Sequence, residues 1–299
     1  ERFSGNMDDL FALQDRVVEA VSAAIEPSIV FVEAERVGAK TTDLEAQDLC
    51  LQATPMVFRL GSRDQALAAQ ALLDQAIAMA PFYIVAKGLL CRLLSWSCGA
   101  RFISFEAARA CLPIAASVLA APEADPLSMI FAAHALAYLD NKQDQRARGA
   151  SVAKRAFGLS PNSSILLASA GWLHNYAGEP TDAITFFQRS LRLNPLDPYV
   201  GQTRSGLGTA FCMAGDWETG IEVLEQAYTE APEFGTTVQN LAVAHWLAGD
   251  RERSKALRDE LLARPAVTKV SAYETVSPFR GLPFNKRVVQ AMREMDMPE

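Results

Sequence analysis

Apolar residues in this chain recur at helical spacing, in stretches that come in pairs. Near the start, residues 8–26 place Leu10, Leu13, Val17, Val21 and Ile25 on one stripe. That pattern predicts a helix capped by Asp8 or Asp9 and broken at Pro27, with a second segment running to about Val37. At the other end, residues 284–295 carry Val288, Val289 and Met292 on one face and predict a closing helix. Between them, four helix-like stretches are each followed by a second stretch and a proline. Residues 130–140 lead to Pro161, 164–175 to Pro195, 201–212 to Pro232 and 235–246 to Pro265.

These stretches form a repeat. The units begin at 130, 164, 201 and 235, in steps of 34, 37 and 34 residues, and the longer step absorbs the extra residues of 194–198. The eighth position of each unit is small (Ala137, Gly171, Gly208, Ala242), and so is the twentieth (Gly149, Ala183, Gly220, Ser254). Two antiparallel helices that approach closely need small residues at such places. Gly178, Gly215 and Gly249 supply the tight turn between them, and proline stops the second helix. Gly171, Gly178, Ala183, Phe187, Ser190 and Pro195, with Gly208, Gly215, Ala227 and Pro232, resemble the signature of the tetratricopeptide (TPR) family. Its first-helix aromatic is replaced here by Leu167 and Arg204. The resemblance implies an all-α fold: a right-handed α-solenoid of tetratricopeptide-like helix pairs with N- and C-terminal capping helices.

The N-terminal half is looser. Residues 50–81 fit one unit, with Ala69, Leu73, Ala76 and Pro81 in place and Pro55 expected to kink its first helix. The next unit ends near Pro122, about ten residues late, which predicts an insertion at 95–105. The chain thus divides into an N-terminal helical linker (1–45), about six repeats (46–268) and a C-terminal capping segment (269–299).

The flanks carry a second resemblance. The opening run Glu1-Arg2-Phe3-Ser4-Gly5 with Asp8-Asp9-Leu10-Phe11-Ala12-Leu13-Gln14-Asp15 is followed by Ala24-Ile25-Glu26-Pro27 and Ala34-Glu35-Arg36-Val37. Leu44, Ala46, Asp48, Leu49 and Leu51 come next, and Gly281-Leu282-Pro283-Phe284 with Met297-Pro298-Glu299 closes the chain. Together these are similar to the C-terminal region of bacterial class III adenylate/guanylate cyclase-like signalling proteins, in which a TolB-like domain hands over to a TPR array. The resemblance implies a regulatory segment of a longer protein that begins before Glu1. The upstream output domain would be a cyclase or a winged-helix DNA-binding domain, and no catalytic residue carries over to this segment.

Charge and composition narrow the partners. The chain has 28 Lys and Arg against 35 Asp and Glu, a net charge of −7, and no basic run that would neutralise phosphates. Nucleic acid is therefore not the expected partner, and no apolar stretch is long enough to span a membrane. The five cysteines (Cys50, Cys91, Cys98, Cys111, Cys212) read as buried reduced thiols of a cytoplasmic protein, or of a periplasmic one if a membrane span precedes this segment. His174 and His245 share repeat position eleven with Phe211 and read as occupants of an aromatic slot. Glu218, Glu222 and Glu225, like Arg251, Arg253 and Lys255, read as a solvated outer face. No metal, cofactor or catalytic residue is expected.

In the TPR pattern the first helices line a concave groove. Here that set includes Phe131, His134, Tyr138, Asn141, Lys142, Trp172, Asn175, Tyr176, Gln202, Thr209, Met213, Gln239 and Trp246. Aromatics interleaved with amides and hydroxyls suit an extended peptide or a helix. The expectation is a non-catalytic module that binds a peptide or protein there, or the parent's own upstream domain. Two alternatives stay open. The array is an intramolecular or homodimerising scaffold, its groove filled by residues 277–282, or it is a small-molecule sensor with a pocket at the 95–105 insertion.

Overall fold

A computed structural model describes residues 46–299 apart from 123, 141, 196, 198 and 265–268. The helix expected at 8–26, Asn141 and Pro265 lie outside the described residues. Six helix pairs follow one another. They are α1 (Ala46–Arg59) with α2 (Arg63–Met79), α3 (Ile84–Gly99) with α5 (Leu112–Ala120), α6 (Pro126–Leu139) with α7 (Gln143–Leu159), α8 (Ser164–Ala177) with α9 (Pro180–Leu193), α10 (Val200–Ala214) with α11 (Trp217–Glu230), and α12 (Gly235–Ala248) with α13 (Arg251–Leu262). A short α4 (Phe105–Ala108) precedes α5, and α14 (Val270–Val276) and α15 (Pro283–Glu294) close the chain. No strand occurs among the described residues.

The first helix of each pair lies inside and the second outside. The inner helices α3, α6 and α8 are buried nearly all round, whereas α9 buries only Ala183, Phe187, Ser190 and Leu193. That contrast is why the outer helices read as amphipathic and the inner ones as uniformly apolar. Gly178, Gly215 and Gly249 cap α8, α10 and α12 at φ +83°, +93° and +95°, the left-handed turn the repeat calls for.

Close approach within a pair is set by the small residues. A Cβ on Gly208 would lie 2.7 Å from Leu224 Cγ and 3.0 Å from the Gly220 carbonyl oxygen. Gly208→Ala is therefore expected to destabilise the chain by ~1–3 kcal/mol in a denaturant titration, even though alanine favours helix by ~1 kcal/mol. A gain in stability would mean that α10 and α11 can part without cost.

One expectation changes in the N-terminal half. Pro55 lies inside α1, as expected, and the helix runs on through it to Arg59. The irregular insertion is placed at 95–105 by the sequence, but α3 runs on to Gly99 because residues 93–99 are all buried against neighbouring helices, and the Ser95 hydroxyl is satisfied within the helix by the carbonyls of Cys91 and Arg92 at 2.8 and 3.0 Å. The irregular part is instead 100–111, which holds a turn, α4 and one turn of 3-10 helix.

Repeats in a solenoid ordinarily touch only their neighbours. Here the early pairs also touch the late ones. The Tyr199 hydroxyl donates to Val57 O at 2.7 Å across 142 residues, and Thr236 Oγ1 donates to Gly99 O at 3.1 Å. Trp96 stacks on Phe234 at 5.5 Å. The array curls until its inner wall encloses a lumen.

A candidate binding site in the lumen

The lumen begins as a ladder of rings. Phe234, Trp96, His134 and Tyr138 follow one another at 5.5, 5.7 and 6.0 Å, with interplanar angles of 26°, 14° and 21°. Trp172 meets Trp96 edge-on, and Tyr176 adjoins Tyr138 at 5.8 Å. Each ring comes from an inner helix or from the residue that leads into one, so the repeat itself delivers them to one place.

Beside the ladder, Arg92 is buried among Phe58, Phe131, Trp96 and Tyr199, with its guanidinium carbon 4.4–4.9 Å from all four ring centroids. Burial holds the Asp197 carboxyl above its usual range, against the opposing pull of the Tyr199 amide, Arg92 and Ser164. Burial also pushes the His134 imidazole down to about 3, helped by the nearby Arg92 charge, so His134 is neutral at pH 7. Its Nε2 lies 3.3 Å from the Tyr176 hydroxyl.

The rings of the ladder, with Trp172 and Tyr176, line a cavity of about 930 Å³. Residues 94–96, 98–99 and 101–107 line one side, Gln239, Asn240 and Tyr273 another, and Val276 to Phe279 a third. The C-terminal segment therefore forms part of the wall. Phe279 sits edge-on to Tyr176 at 5.6 Å, Arg146 Nη1 donates to Pro278 O at 3.2 Å, and Leu282 covers Gly178.

The residues that the repeat pattern assigns to an open groove fall into three groups. Phe131, His134, Tyr138, Trp172, Tyr176 and Gln239 are buried around the lumen or the Arg92 cluster. Asn175, Gln202 and Thr209 are buried too. Asn175 Nδ2 donates to Gly206 O at 2.9 Å, and Thr209 Oγ1 accepts from Asn240 Nδ2 at 2.8 Å, so both tie neighbouring inner helices together. Lys142 is exposed and paired with Asp140 in the turn before α7, and Met213 is half-buried. Trp246 turns outward, donates to Glu294 of α15 at 2.7 Å and carries Arg251 over its ring.

Arg92, Tyr199, Phe234 and Tyr273 are not among the residues the sequence singles out, whereas Trp96 and Arg101 fall in the 95–105 stretch and Phe279 in the 277–282 segment that it names. The signal for two of them is an aromatic just before an inner helix, Tyr199 before α10 and Phe234 before α12.

The titratable groups outside the lumen are structural ties. His174 Nδ1 bonds Glu179 at 2.7 Å and lies 3.8 Å from Asp182, a cluster whose ligand atoms converge within 4.8 Å. One part of it recurs: His245 Nδ1 meets Asp250 at 3.2 Å, the carboxylate five residues on, whereas its Nε2 meets Glu225 of α11 in the preceding pair at 3.0 Å. The shared contact fastens the end of an inner helix to the turn that starts its partner. Glu225 and Arg253, expected on a solvated face, form a two-pronged pair here. Burial raises the Glu225 carboxyl, but the hydrogen bonds from Arg253 and His245 outweigh it and leave it below the usual range. All five cysteines are buried and free, and burial pushes Cys50 and Cys212 up to about 12.

The fold defined by these pairs is a tetratricopeptide-type helical solenoid. No family model matches the sequence, and no curated protein does. Among solved structures, the APC/C hetero-tetramer Cut9–Hcn1 has a chain similar over 83% of this chain and 45% of its own, at 13% identity and TM-score 0.54. The thermophilic TPR protein TTC0263 of Thermus thermophilus is similar over 67% of this chain and 98% of its own (18% identity, TM-score 0.48). A tetratricopeptide repeat protein of Parabacteroides merdae is similar over 84% and 92% (14%, 0.43). At 13% identity and TM-score 0.54, the likeness to the Cut9–Hcn1 chain is one of fold alone. No described helix is long and apolar enough to cross a membrane.

Proposed function

We propose that this chain is a non-catalytic interaction module whose peptide-binding wall is occupied in cis by its own C-terminal segment. The observation that carries the reading is the seat of residues 277–282, where Phe279 packs on Tyr176, Pro278 O takes a hydrogen bond from Arg146 and Leu282 covers Gly178. A wall that holds an aromatic–proline segment of its own chain has the chemistry to hold the same kind of segment from a partner. The partner is then a protein presenting a short apolar turn that competes with residues 273–284, or a second copy of this chain donating that segment. The sequence resemblance of the flanks supports placing the module downstream of a TolB-like domain in a cyclase-like signalling protein, where release of the segment would be the regulated step.

The test uses a fluorescein-labelled peptide of residues 273–284. Wild-type chain is expected to leave its anisotropy unchanged, because the site is filled at high local concentration. Phe279→Ala/Leu282→Ala, which weakens the occupant, is expected to bind the peptide and to lose that binding on further Tyr176→Ala substitution. A folded double variant that ignores the peptide would reduce the segment to a structural cap.

A further inference from the structure

We infer that the lumen is a binding site for a small planar aromatic anion. The inference concerns the chain with its C-terminal segment seated, where residues 276–279 form one wall.

Size and shape come first. The pocket is open at one side and measures about 930 Å³, the scale of a small-molecule site. Its floor is the ladder Phe234, Trp96, His134 and Tyr138, whose successive planes differ by no more than 26°. The rings stack on one another, so what they offer a guest is an aromatic wall, continued by Tyr176 and Phe279, against which a planar ring packs edge-to-face or at the open end of the stack.

The polar groups give the sign of the charge. Trp172 Nε1 and His134 Nδ1 belong to side chains 2% and 5% exposed, and neither atom has a protein partner. Both atoms are sealed from solvent and do not border the cavity, so the sign of the charge rests on the charged residues that line it.

The cavity is also locally cationic in a chain of net charge −7. Arg63, Arg101 and Lys269 line it against the single acid Glu106. Arg101 donates to Gln239 Oε1 at 2.7 Å, and among the described residues no carboxylate lies within ion-pair distance of it. Its backbone sits at φ +66°, a conformation that costs energy in a non-glycine residue and that persists where the surroundings enforce it. Thr236 bonds the Gly99 carbonyl two residues away and so helps to hold that turn. The mouth is wet: Arg63, Glu106 and Lys269 are exposed there, and Leu67 is 46% exposed. A ring packed against the aromatic wall, with a carboxylate or phosphate reaching Arg101, matches both the rings and a guanidinium that has no carboxylate partner among the described residues.

The probe is naphthalene-2-carboxylate, with its carboxamide as the neutral control, titrated into the full chain and followed by tryptophan fluorescence and calorimetry. The acid is expected to bind, and the amide to bind about tenfold or more weaker, as loss of a charge-assisted hydrogen bond implies. Gln239→Glu places a carboxylate against Arg101 without changing side-chain size. It is expected to weaken the acid about tenfold or more and to leave the amide unaffected, with helicity and thermal midpoint checked alongside. Equal binding of acid and amide, an unchanged response in Gln239→Glu, or no response to either compound would each overturn the assignment.

Discussion

Trp96→Ala is expected to cost ~3–5 kcal/mol and to break the cooperativity of unfolding, a combination that an ordinary repeat residue would not show. The cost follows from burial: a tryptophan 7% exposed leaves a large void when truncated. The loss of cooperativity follows from where its contacts go. Trp96 stacks on Phe234 and His134 and meets Trp172 and Tyr199 edge-on, so one side chain on α3 touches residues delivered by the third, fourth, fifth and sixth pairs. In a linear array stability is a sum of repeat and nearest-neighbour terms, and the ends unfold independently once coupling is weak. The luminal contacts replace that linear coupling with a closed ring of contacts.

Wild-type chain should therefore unfold in urea with circular dichroism and fluorescence transitions that coincide, whereas Trp96→Ala should show transitions that separate and a shallower slope. Trp96→Phe keeps a ring in the stack and should lie between the two. Coincident transitions in Trp96→Ala, with a loss below ~1 kcal/mol, would show that the closure contributes nothing beyond the stacking of neighbours.

The same contacts explain how far the sequence could be read. The repeat was legible because each of its demands is local. The left-handed turns at Gly178, Gly215 and Gly249 and the close approach at Gly208 are set by residues within one unit, and they recur every 34 or so positions. The C-terminal helix was legible for the same reason, with Val288, Val289 and Met292 buried as its stripe predicts. What the pattern could not show was curvature. An open groove and a closed lumen use the same helix pairs and differ by small rotations accumulated over six units. Closure is decided by pairs such as Tyr199 with Val57, 142 residues apart, which leave no local trace. So the repeat positions named Phe131, His134, Trp172 and Tyr176 as inward-facing, which they are, and the sequence left a groove filled by residues 277–282 open as an alternative, while the closure by the early and late pairs was out of reach. The pocket at the irregular segment after α3 was foreshadowed by the broken period there, although its other walls come from α12 and from residues 276–279.

His134 gives the lumen a measurable pH signature. The imidazole is pushed from 6.5 to about 3 because the charged form would sit unsolvated among rings, with the Arg92 guanidinium adding repulsion. Tyr138, Tyr176 and Trp96 surround it, and none carries a compensating negative charge at neutral pH. A basic group depressed on folding contributes stability that is complete above the unfolded value and is lost as pH falls toward the folded one. Between pH 6.5 and about 3 the unfolded chain binds a proton that the folded chain refuses, so stability falls by ~1.4 kcal/mol per pH unit, or ~4–5 kcal/mol across the window. Asp197 acts in the opposite direction. Burial raises its carboxyl, so its contribution is full below the ordinary carboxylate value of 3.8 and declines as pH rises from there. It therefore masks part of the histidine effect in the raw profile. Subtracting the profile of His134→Gln, which keeps a polar side chain of similar size but cannot titrate, removes that term. The difference between wild type and variant should be flat above pH 7 and fall with a slope of about one proton between pH 6 and 4. Parallel profiles over that range would mean that His134 takes up its proton in the folded chain, and the lumen would then be open to water at the imidazole.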